Sequence, residues 1–308
     1  MLNSINIFKR KLTTLSFEGH KIKCLTMRGR EVQAWETVSL AHAEMNQGII
    51  REPQSVGGKV SSLLEKLEAT TRNVLTCVTD HRSIHRMITL PDMKRRLLDE
   101  AVRRKAKQVF PTPAEETDFS WQIVGETDDG IMVYVLAVPK LVIDQQVKTL
   151  RAAGIKPKVM DAKPLALMHT IQEDRAIILN LEGYSMAVII IDNHLPAIAR
   201  TIPVENDELT PEARLDMLSQ ELARTTKFYN ESHKDQPLPQ ETPVYVSGEL
   251  FAAPRLDERL HSEQTLISRL EQNTQYPIRV PAPPLDYPSD LPVAQYVVNL
   301  GLALKGTS

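Results

Sequence analysis

One short glycine-rich sequence, Gly57-Gly58-Lys59, could bind phosphate, because backbone amides approach phosphate oxygens closely where no Cβ intrudes. A P-loop would also need glycine at position 53 and serine or threonine at position 60. Pro53 and Val60 occupy these positions. The sequence therefore predicts a turn that opens a helix rather than a nucleotide-binding P-loop.

Three residues with metal-binding side chains, Cys77, His81 and His85, recur at every fourth position. A strand-to-loop transition is predicted here, so the three side chains share no helical face, and no fourth ligand follows nearby. We interpret them as solvent-facing histidines beside a core cysteine. The sequence also has no Gly-x-Ser-x-Gly elbow and no paired-carboxylate arrangement. It predicts no metal site and no catalytic residues.

The segment 94–107 is locally very basic, since its only acids are Asp99 and Glu100. The candidate basic patch consists of Arg95, Arg96, Arg103, Arg104 and Lys107. One interpretation is a solvated helix face, and another is contact with anionic lipid headgroups or an acidic partner segment. Nucleic acid is disfavoured, because the segment contains no aromatic side chains that could stack on bases.

Hydrophobic patterning predicts two similar groups of elements that would position these residues. The first group has strands over residues 11–17, 21–27 and 31–40, a helix over residues 55–69 and a strand over residues 73–78. The second group has strands over residues 176–181, 185–192 and 195–202, a helix over residues 210–230 and a strand over residues 244–247. The second half of the chain thus repeats the plan of the first.

Between the two groups lies a block, residues 80–160, that is predicted to be a small inserted α/β subdomain. Its elements are a charged helix over residues 94–110, strands over residues 119–124 and 131–138, a helix over residues 141–153 and a strand over residues 158–160. Pro111 ends the first helix and Gly154 caps the second. A terminal helix is predicted over residues 294–305.

The composition is that of a globular protein with 308 residues, 42% of them hydrophobic and 25% charged, which is enough for two domains with cores. The net charge of -2 gives no global attraction to nucleic acid, and the two cysteines are consistent with a reducing compartment. No apolar signal-peptide region follows Ile5 to Phe8, and the longest apolar runs have the length of strands. We therefore expect a cytoplasmic protein.

Several short motifs, taken in order, carry a family resemblance. They are residues 83–93 (SIHRMITLPDM), 135–140 (VLAVPK) and 153–157 (AGIKP), then Asp161 with Leu165 and Ala166, residues 221–224 (ELAR) with Phe228 and Tyr229, and residues 301–304 (GLAL). Each motif is weak alone, but their order and spacing make the set specific. From about Gln47 to its end, the chain resembles PilM, the actin-like cytoplasmic protein of type IV pilus assembly.

The resemblance implies an actin-like ATPase fold of the α/β (α+β) class, in which two related domains each contain a mixed sheet and helices. Residues 1–79 and 161–175 would form the first domain, residues 80–160 the inserted subdomain and residues 176–308 the second domain. The terminal helix is expected to pack back on the first domain.

An actin-like nucleotide site needs an aspartate-x-glycine turn in each half, where backbone amides face the phosphates and the aspartate helps to hold metal and water. By the resemblance, the first turn corresponds to residues 10–17, which contain neither aspartate nor glycine. In the second turn, residues 180–185, Asn180 replaces the aspartate, although Gly183 remains. The adenosine-side loop is Ser247-Gly248-Glu249, with a carboxylate in place of a second glycine.

Two added carboxylates, Glu182 and Glu249, would oppose ATP unless a cation intervenes. The resemblance therefore implies a degenerate nucleotide site, which would consist of Thr13, Asn180, Gly183, Ser247 and Gly248. We expect no cofactor and no ATP hydrolysis, with binding of ATP and magnesium as the alternative.

PilM-like proteins accept the short cytoplasmic N-terminal peptide of PilN, a membrane-spanning partner, in a groove between the first domain and the inserted subdomain. The matching wall in this sequence would include Arg86, Ile88, Leu90 and Met93. An extended peptide could pair with an exposed strand edge while apolar pockets take alternate side chains. The alternative is that Ile88, Leu90 and Met93 fill the core of the subdomain.

The resemblance implies a non-enzymatic cytoplasmic scaffold of a type IV pilus or related secretion system, peripheral to the inner face of the inner membrane. It would recruit the tail of a PilN-like protein, and an anionic membrane surface and a second copy of the chain are further candidate partners. One alternative is an active actin-like ATPase with divergent phosphate loops. Another is the cytoplasmic domain of a GspL-like type II secretion component, which would normally continue into a membrane span.

Overall fold

The computed structural model describes residues 10–46, 48–78, 83–111, 113–204, 209–251 and 263–307. His81, one of the candidate metal ligands, lies outside the described residues.

The first part of the chain is a meander of antiparallel strands joined by tight glycine turns. Gly19 and Gly29 adopt φ angles of 60° and 65° in these turns, a backbone conformation that favours glycine. The elements are β1 (Lys11–Glu18), β2 (Lys21–Arg28), β3 (Glu31–Ser39), β4 (Met45–Asn46), β5 (Ile49–Ile50), α1 (Pro53–Lys66) and β6 (Val74–Val78). Pro53 suits the first turn of α1, because that position needs no backbone N–H and the proline ring fixes a helical φ. The glycine pair Gly57-Gly58 lies inside this helix.

The middle part contains α2, the basic helix predicted from the sequence. The elements are β7 (Ile84–Leu90), α2 (Arg95–Val109), β8 (Thr117–Thr127), β9 (Gly130–Pro139), α3 (Lys140–Ala152), β10 (Val159–Ala162) and α4 (Lys163–Met168). Gly154 follows α3 with a φ of 69°, as its predicted role in ending that helix requires.

The last part repeats the meander and ends in a largely buried helix. The elements are β11 (Ala176–Glu182), β12 (Ser185–Asp192), β13 (Leu195–Pro203), α5 (Pro211–Ser232), β14 (Val244–Ser247), α6 (Glu263–Thr274), β15 (Ile278–Arg279) and α7 (Val293–Thr307). Thr210 begins α5, since its hydroxyl accepts a hydrogen bond from the Ala213 amide at 3.2 Å.

Two five-stranded sheets share one topology. The first sheet has the order β10-β6-β1-β2-β3, and the second sheet has the order β15-β14-β11-β12-β13. In each, three antiparallel strands are followed by two strands that run parallel to the first. This confirms the repeated plan predicted from the sequence.

A third, antiparallel sheet has the order β7-β9-β8 and is covered by α2. The buried residues Leu98, Val102 and Ala106 of α2 pack on apolar side chains of β7 and β9. Helix α2 is therefore amphipathic, with its basic residues on the face that points away from this sheet.

Strand β10 is part of the first sheet, and helix α3 packs against α1 and contacts β6 of that sheet. Strand β10 pairs with β6, and α3 lies so close to α1 that a Cβ on Gly57 would come within 2.6 Å of the Ala152 Cβ. The sequence analysis grouped both elements with the inserted subdomain. The domain bounds themselves stay predictions.

Helices α4 and α7 contribute to one core with residues of both five-stranded sheets. Helix α7 contacts β1, β2 and β6 of the first sheet as well as β14 of the second. Its side chains from Tyr296 to Ala303 are buried. The two sheets are therefore joined through a common hydrophobic core, and the ends of their hairpins face each other.

Candidate functional site

A cavity of about 440 Å³ lies where the β1–β2 hairpin faces the β11–β12 hairpin. Residues of both hairpin turns line it, together with the end of β3, Arg214 of α5 and Glu249 after β14. The two turns occupy equivalent positions, because Glu18 pairs with Lys21 around Gly19 just as Glu182 pairs with Ser185 around Gly183. This cavity is where an actin-like fold would place phosphates.

The structure corrects the predicted position of the first turn. Strand β1 continues to Glu18, so residues 10–17 lie at the start of and within the strand rather than at its turn. Thr13 is buried there, its hydroxyl donates to the Thr70 carbonyl at 2.9 Å, and it does not line the cavity. The turn that faces the second hairpin is Glu18-Gly19-His20, which does contain a glycine.

The predicted residues of the second half do lie together. The Asn180 Nδ2 donates to the Ser247 Oγ at 3.0 Å and to the Glu182 Oε1 at 3.4 Å, and all three side chains are buried. Gly248 has a φ of 102°, and a Cβ there would lie 2.2 Å from the Leu181 carbonyl oxygen. Only glycine therefore fits this position, while Gly183 lines the cavity itself.

Aromatic rings from both hairpins meet beside the cavity. The Tyr184 ring centroid lies 4.3 Å from that of His20 and 5.9 Å from that of His42, and the two histidine rings are 4.3 Å apart. The glycine at position 19 permits this arrangement, since a Cβ there would already lie 3.2 Å from the Tyr184 Cδ2. The rings occupy space in which a ligand would otherwise contact the turns.

Below the rings, a network of buried charges joins the two sheets. The Lys23 Nζ lies 2.7 Å from the Glu18 Oε2 and 3.1 Å from the Glu182 Oε2, and these side chains are at most 1% exposed. The Lys163 Nζ of α4 lies 3.1 Å from the other Glu18 oxygen. The Lys23 Nζ also donates to the Gln295 carbonyl of α7 at 3.1 Å. We call Lys23, Glu18, Glu182 and Lys163 the buried network.

Opposite charges set the pKa values within the buried network. Burial alone would raise the pKa of Glu18, but the Lys163 and Lys23 ammonium groups outweigh it and lower that pKa to about 2. Burial opposes the charge of Lys23, yet Glu18 and Glu182 together raise the pKa of its ammonium group. Burial, and then the nearby Glu18 carboxylate, raise the pKa of Glu182. The network is neutral overall when two carboxylates face two ammonium groups.

A third carboxylate, that of Glu249, stands at the edge of the cavity. Its Oε2 lies 3.1 Å from the Lys21 Nζ and 3.7 Å from the position that a Cβ on Gly183 would take. Arg214 donates to the Gly183 carbonyl oxygen at 2.5 Å. Of the two described cationic side chains that line the cavity, Lys21 is therefore paired with Glu249, and Arg214 holds the backbone of the second turn.

Comparison with known proteins identifies the family. The family model of the type IV pilus assembly protein PilM matches residues 17–209. The chain belongs to this PilM family. No curated protein sequence matches the chain.

Solved structures with the same fold agree with the family assignment. A PilM-PilN type IV pilus biogenesis complex is 19% identical, covers 97% of this chain and 99% of its own, and has a TM-score of 0.79. The ethanolamine utilization protein EutJ from Carboxydothermus hydrogenoformans is 11% identical, with coverage of 96% and 89% and a TM-score of 0.56. A Bacteroides thetaiotaomicron protein with an actin-like ATPase fold and unknown function is 8% identical, with coverage of 98% and 99% and a TM-score of 0.51. The predicted actin-like ATPase fold and PilM-like family are confirmed.

The residues predicted for the PilM-type peptide groove divide into two kinds. Ile88 and Leu90 are buried in the core between β7 and α2, and Met93 packs against the same core. Arg86 is exposed on β7. Within the described part of the chain, β7 pairs only with β9, and β13 approaches it without pairing. The apolar residues thus fill the core, whereas Arg86 and one backbone edge of β7 face outward.

The predicted basic patch is exposed on α2, but its charges are not equally available. Arg103 contacts Asp99 at 2.9 Å and Arg104 contacts Glu100 at 2.8 Å, each one helical turn away. Arg95, Arg96 and Lys107 have no ion pair of this kind among the described residues. The charges of Arg95, Arg96 and Lys107 are therefore more available than those of Arg103 and Arg104.

Neither a membrane span nor a metal cluster occurs in the described ranges. None of their helices is both long and apolar enough to cross a membrane. No three histidine, cysteine, aspartate or glutamate side chains within those ranges converge to hold a metal ion. Cys77 is buried in the core, and His85 Nδ1 contacts the Tyr134 hydroxyl.

The sequence analysis missed Glu18, Lys23 and Lys163 of the buried network. A lysine in an alternating strand is ordinarily interpreted as facing solvent, and the Glu182 partner of Lys23 lies 159 residues away. One signal was present, because Glu18-Gly19 and Glu182-Gly183 repeat the same dipeptide at the ends of matching strands.

Proposed function

We propose that this PilM-family protein is a non-enzymatic scaffold of type IV pilus assembly that binds the cytoplasmic tail of a PilN-like membrane protein. The main support for a scaffold without enzymatic activity is the ion pair between Lys23 and Glu182, which compensates the buried charges below the turns of the β1–β2 and β11–β12 hairpins. The partner is suggested by family membership and by the likeness to a PilM-PilN complex. Tail binding would hold the protein at the inner face of the inner membrane.

ATP would meet unfavourable contacts in the cavity. Its phosphates would enter beside Glu249, which lines the cavity and whose carboxylate repels further negative charge. The ring of Tyr184 would have to leave its contact with His20, and Lys21 would have to leave Glu249. These contacts support a scaffold that needs neither a nucleotide nor magnesium.

The tail would bind at β7. An extended peptide can donate and accept backbone hydrogen bonds along the edge of β7 opposite β9, an edge with which no described strand pairs. Arg86 is exposed on β7 and can bind backbone carbonyl oxygens or carboxylates of the peptide. Ile88 and Leu90 would support the site by fixing β7 on the core rather than by contacting the tail.

Isothermal titration of the full chain tests this proposal. One titration uses a synthetic N-terminal tail of a PilN-like protein encoded beside it, with a scrambled tail as control, and a second uses ATP with magnesium. We expect binding of the tail, no binding of the scrambled peptide and no heat with ATP. Failure of the tail to bind would refute the proposal that a PilN-like protein is the partner. Micromolar ATP binding would refute the proposal that the protein functions without a nucleotide.

An ATP-binding protein is the second candidate, because Gly19 and Gly183 lie at the two turns in the manner of an actin-like phosphate site. It predicts binding that depends on magnesium and is lost in Gly183→Val, since a bulky side chain would block the approach of phosphates.

A further inference from the structure

We propose that the buried network, together with the Tyr184 ring, is a lock that holds the two hairpins of the first and second sheets together without a nucleotide or metal. The lock goes beyond the assembly role and does not depend on the identity of the partner. It rests on three separate contacts across the cavity.

The first contact is the Lys23–Glu182 ion pair, in which a strand of the first sheet meets a strand of the second at 3.1 Å. Lys23 occupies the position of an internal cation, because it lies between one carboxylate from each hairpin. Two carboxylates in a protein interior need a positive charge between them, and here a covalently attached ammonium group supplies it.

The second contact is Lys21–Glu249, which joins β2 to the segment after β14. The third is the edge-to-face packing of Tyr184 on His20, at a centroid separation of 4.3 Å. All three contacts lie within a few residues of the two turns. Separation of the hairpins would therefore break all three contacts at once.

Asn299 of α7 holds the backbone of β1 and β2 next to the buried network. Its Oδ1 accepts from the Ser16 hydroxyl at 3.0 Å, and its Nδ2 donates to the Thr14 and Lys23 carbonyl oxygens at 3.1 and 3.2 Å. The backbone of Lys23 is thus held by α7 while its side chain reaches Glu182. Opening of the hairpins is then expected to be local, because the core around α7 stays packed.

Amide hydrogen exchange on the full chain tests the lock. The reporters are the amides of Leu40 and Val204, which donate to the carbonyl oxygens of His20 and Tyr184 in the two turns at 2.7 and 2.9 Å. Glu182→Gln removes the ion pair across the cavity but leaves Lys23 paired with Glu18. We expect exchange at the two reporters to rise about tenfold, as the loss of one charged contact implies, with little change in the strand interiors.

Two further variants keep the test decisive. Arg175→Met removes an ion pair with Asp192 at 2.8 Å, at the end of the β11–β12 hairpin away from its turn, and should leave both reporters unchanged. Tyr184→Leu removes the ring contact without burying a charge, and it should repeat the local pattern if Glu182→Gln does not fold. Exchange that stays at the wild-type rate in both cavity variants, or rises equally throughout the chain, would overturn the lock.

Discussion

Gly301 of α7 crosses Ala166 of α4 so closely that a Cβ on Gly301 would lie 1.7 Å from the Ala166 carbonyl oxygen. Helix α4 contacts β6 and β10 of the first sheet, so this crossing connects that sheet to the terminal helix α7 within the core that both sheets share. The glycine of the GLAL motif is therefore required by helix packing, and its place in the family resemblance has a structural cause.

Gly301→Ala should destabilise the protein by about 3 kcal/mol or more, because backbone atoms rather than a flexible side chain would have to move. Gly58→Ala is the matched control, since Gly58 lies in α1 and a Cβ there would meet nothing within 4 Å. That change should be neutral or stabilise by up to about 1 kcal/mol through helix propensity. Urea unfolding measures both values, and equal effects would contradict the packing argument.

Lys23→Met should lower the free energy of unfolding by about 3–5 kcal/mol, because the two carboxylates of Glu18 and Glu182 would face each other without their shared cation. Addition of Glu182→Gln to this variant should restore part of the loss, since it removes one of the two like charges. Urea unfolding of the single and double variants measures the coupling. A double variant less stable than Lys23→Met would argue against this repulsion.

Acid should weaken the fold through Glu18. The pKa of Glu18 is about 2 in the folded protein, below its ordinary value of 4.5, because Lys163 and Lys23 outweigh its burial. Its stabilisation is therefore complete above pH 4.5 and is lost as the pH falls toward 2.

Glu18→Gln should consequently flatten the fall in unfolding free energy below pH 4.5. Urea unfolding at a series of pH values checks this slope. Glu65→Gln, at an exposed position of α1, serves as the control and should keep the wild-type profile. The same slope in Glu18→Gln and Glu65→Gln would mean that other groups control the acid response.

The fold was predictable from local patterns, and the site was less so. Alternation of apolar residues and the glycine turns gave the strands of both meanders, because each hairpin is specified by neighbouring residues. The sequence analysis predicted no strand at β7, although it proposed this segment as a wall of the partner groove, because His85, Arg86 and Thr89 interrupt its apolar residues. Helix α3 was grouped with the inserted subdomain, and its contact with α1 was not predicted, because it joins residues far apart in sequence.

The buried network shows what a single sequence does not specify. Its members come from β1, β2, β11 and α4, and only the packing of the two sheets brings Glu182 within 3.1 Å of Lys23. Ile88 and Leu90, which were predicted to line the partner groove, are buried in the core for a related reason. Ile88 and Leu90 point to α2, and the face on which a strand residue lies depends on the helix that covers the sheet.

Arg86→Ala should weaken binding of a PilN-like tail about tenfold, because its exposed guanidinium on β7 would no longer donate to the peptide. Arg72→Ala, an exposed arginine before β6, is the matched control and should leave the affinity unchanged. Titration calorimetry with the same peptide gives both affinities. Equal affinities for wild type and Arg86→Ala would show that the tail does not bind at Arg86 on β7.

Removal of two accessible charges from α2 should weaken its contact with anionic membranes. Arg95→Gln combined with Arg96→Gln should reduce binding to phosphatidylglycerol vesicles roughly 30-fold, at about 1 kcal/mol for each basic residue near the surface. Arg103→Gln combined with Arg104→Gln removes equal charge, but these arginines are paired with Asp99 and Glu100 and should matter less. Vesicle sedimentation at rising salt measures the difference, because surface attraction is screened by ions. Absence of binding by the wild type at low salt would show that α2 is only a solvated helix face.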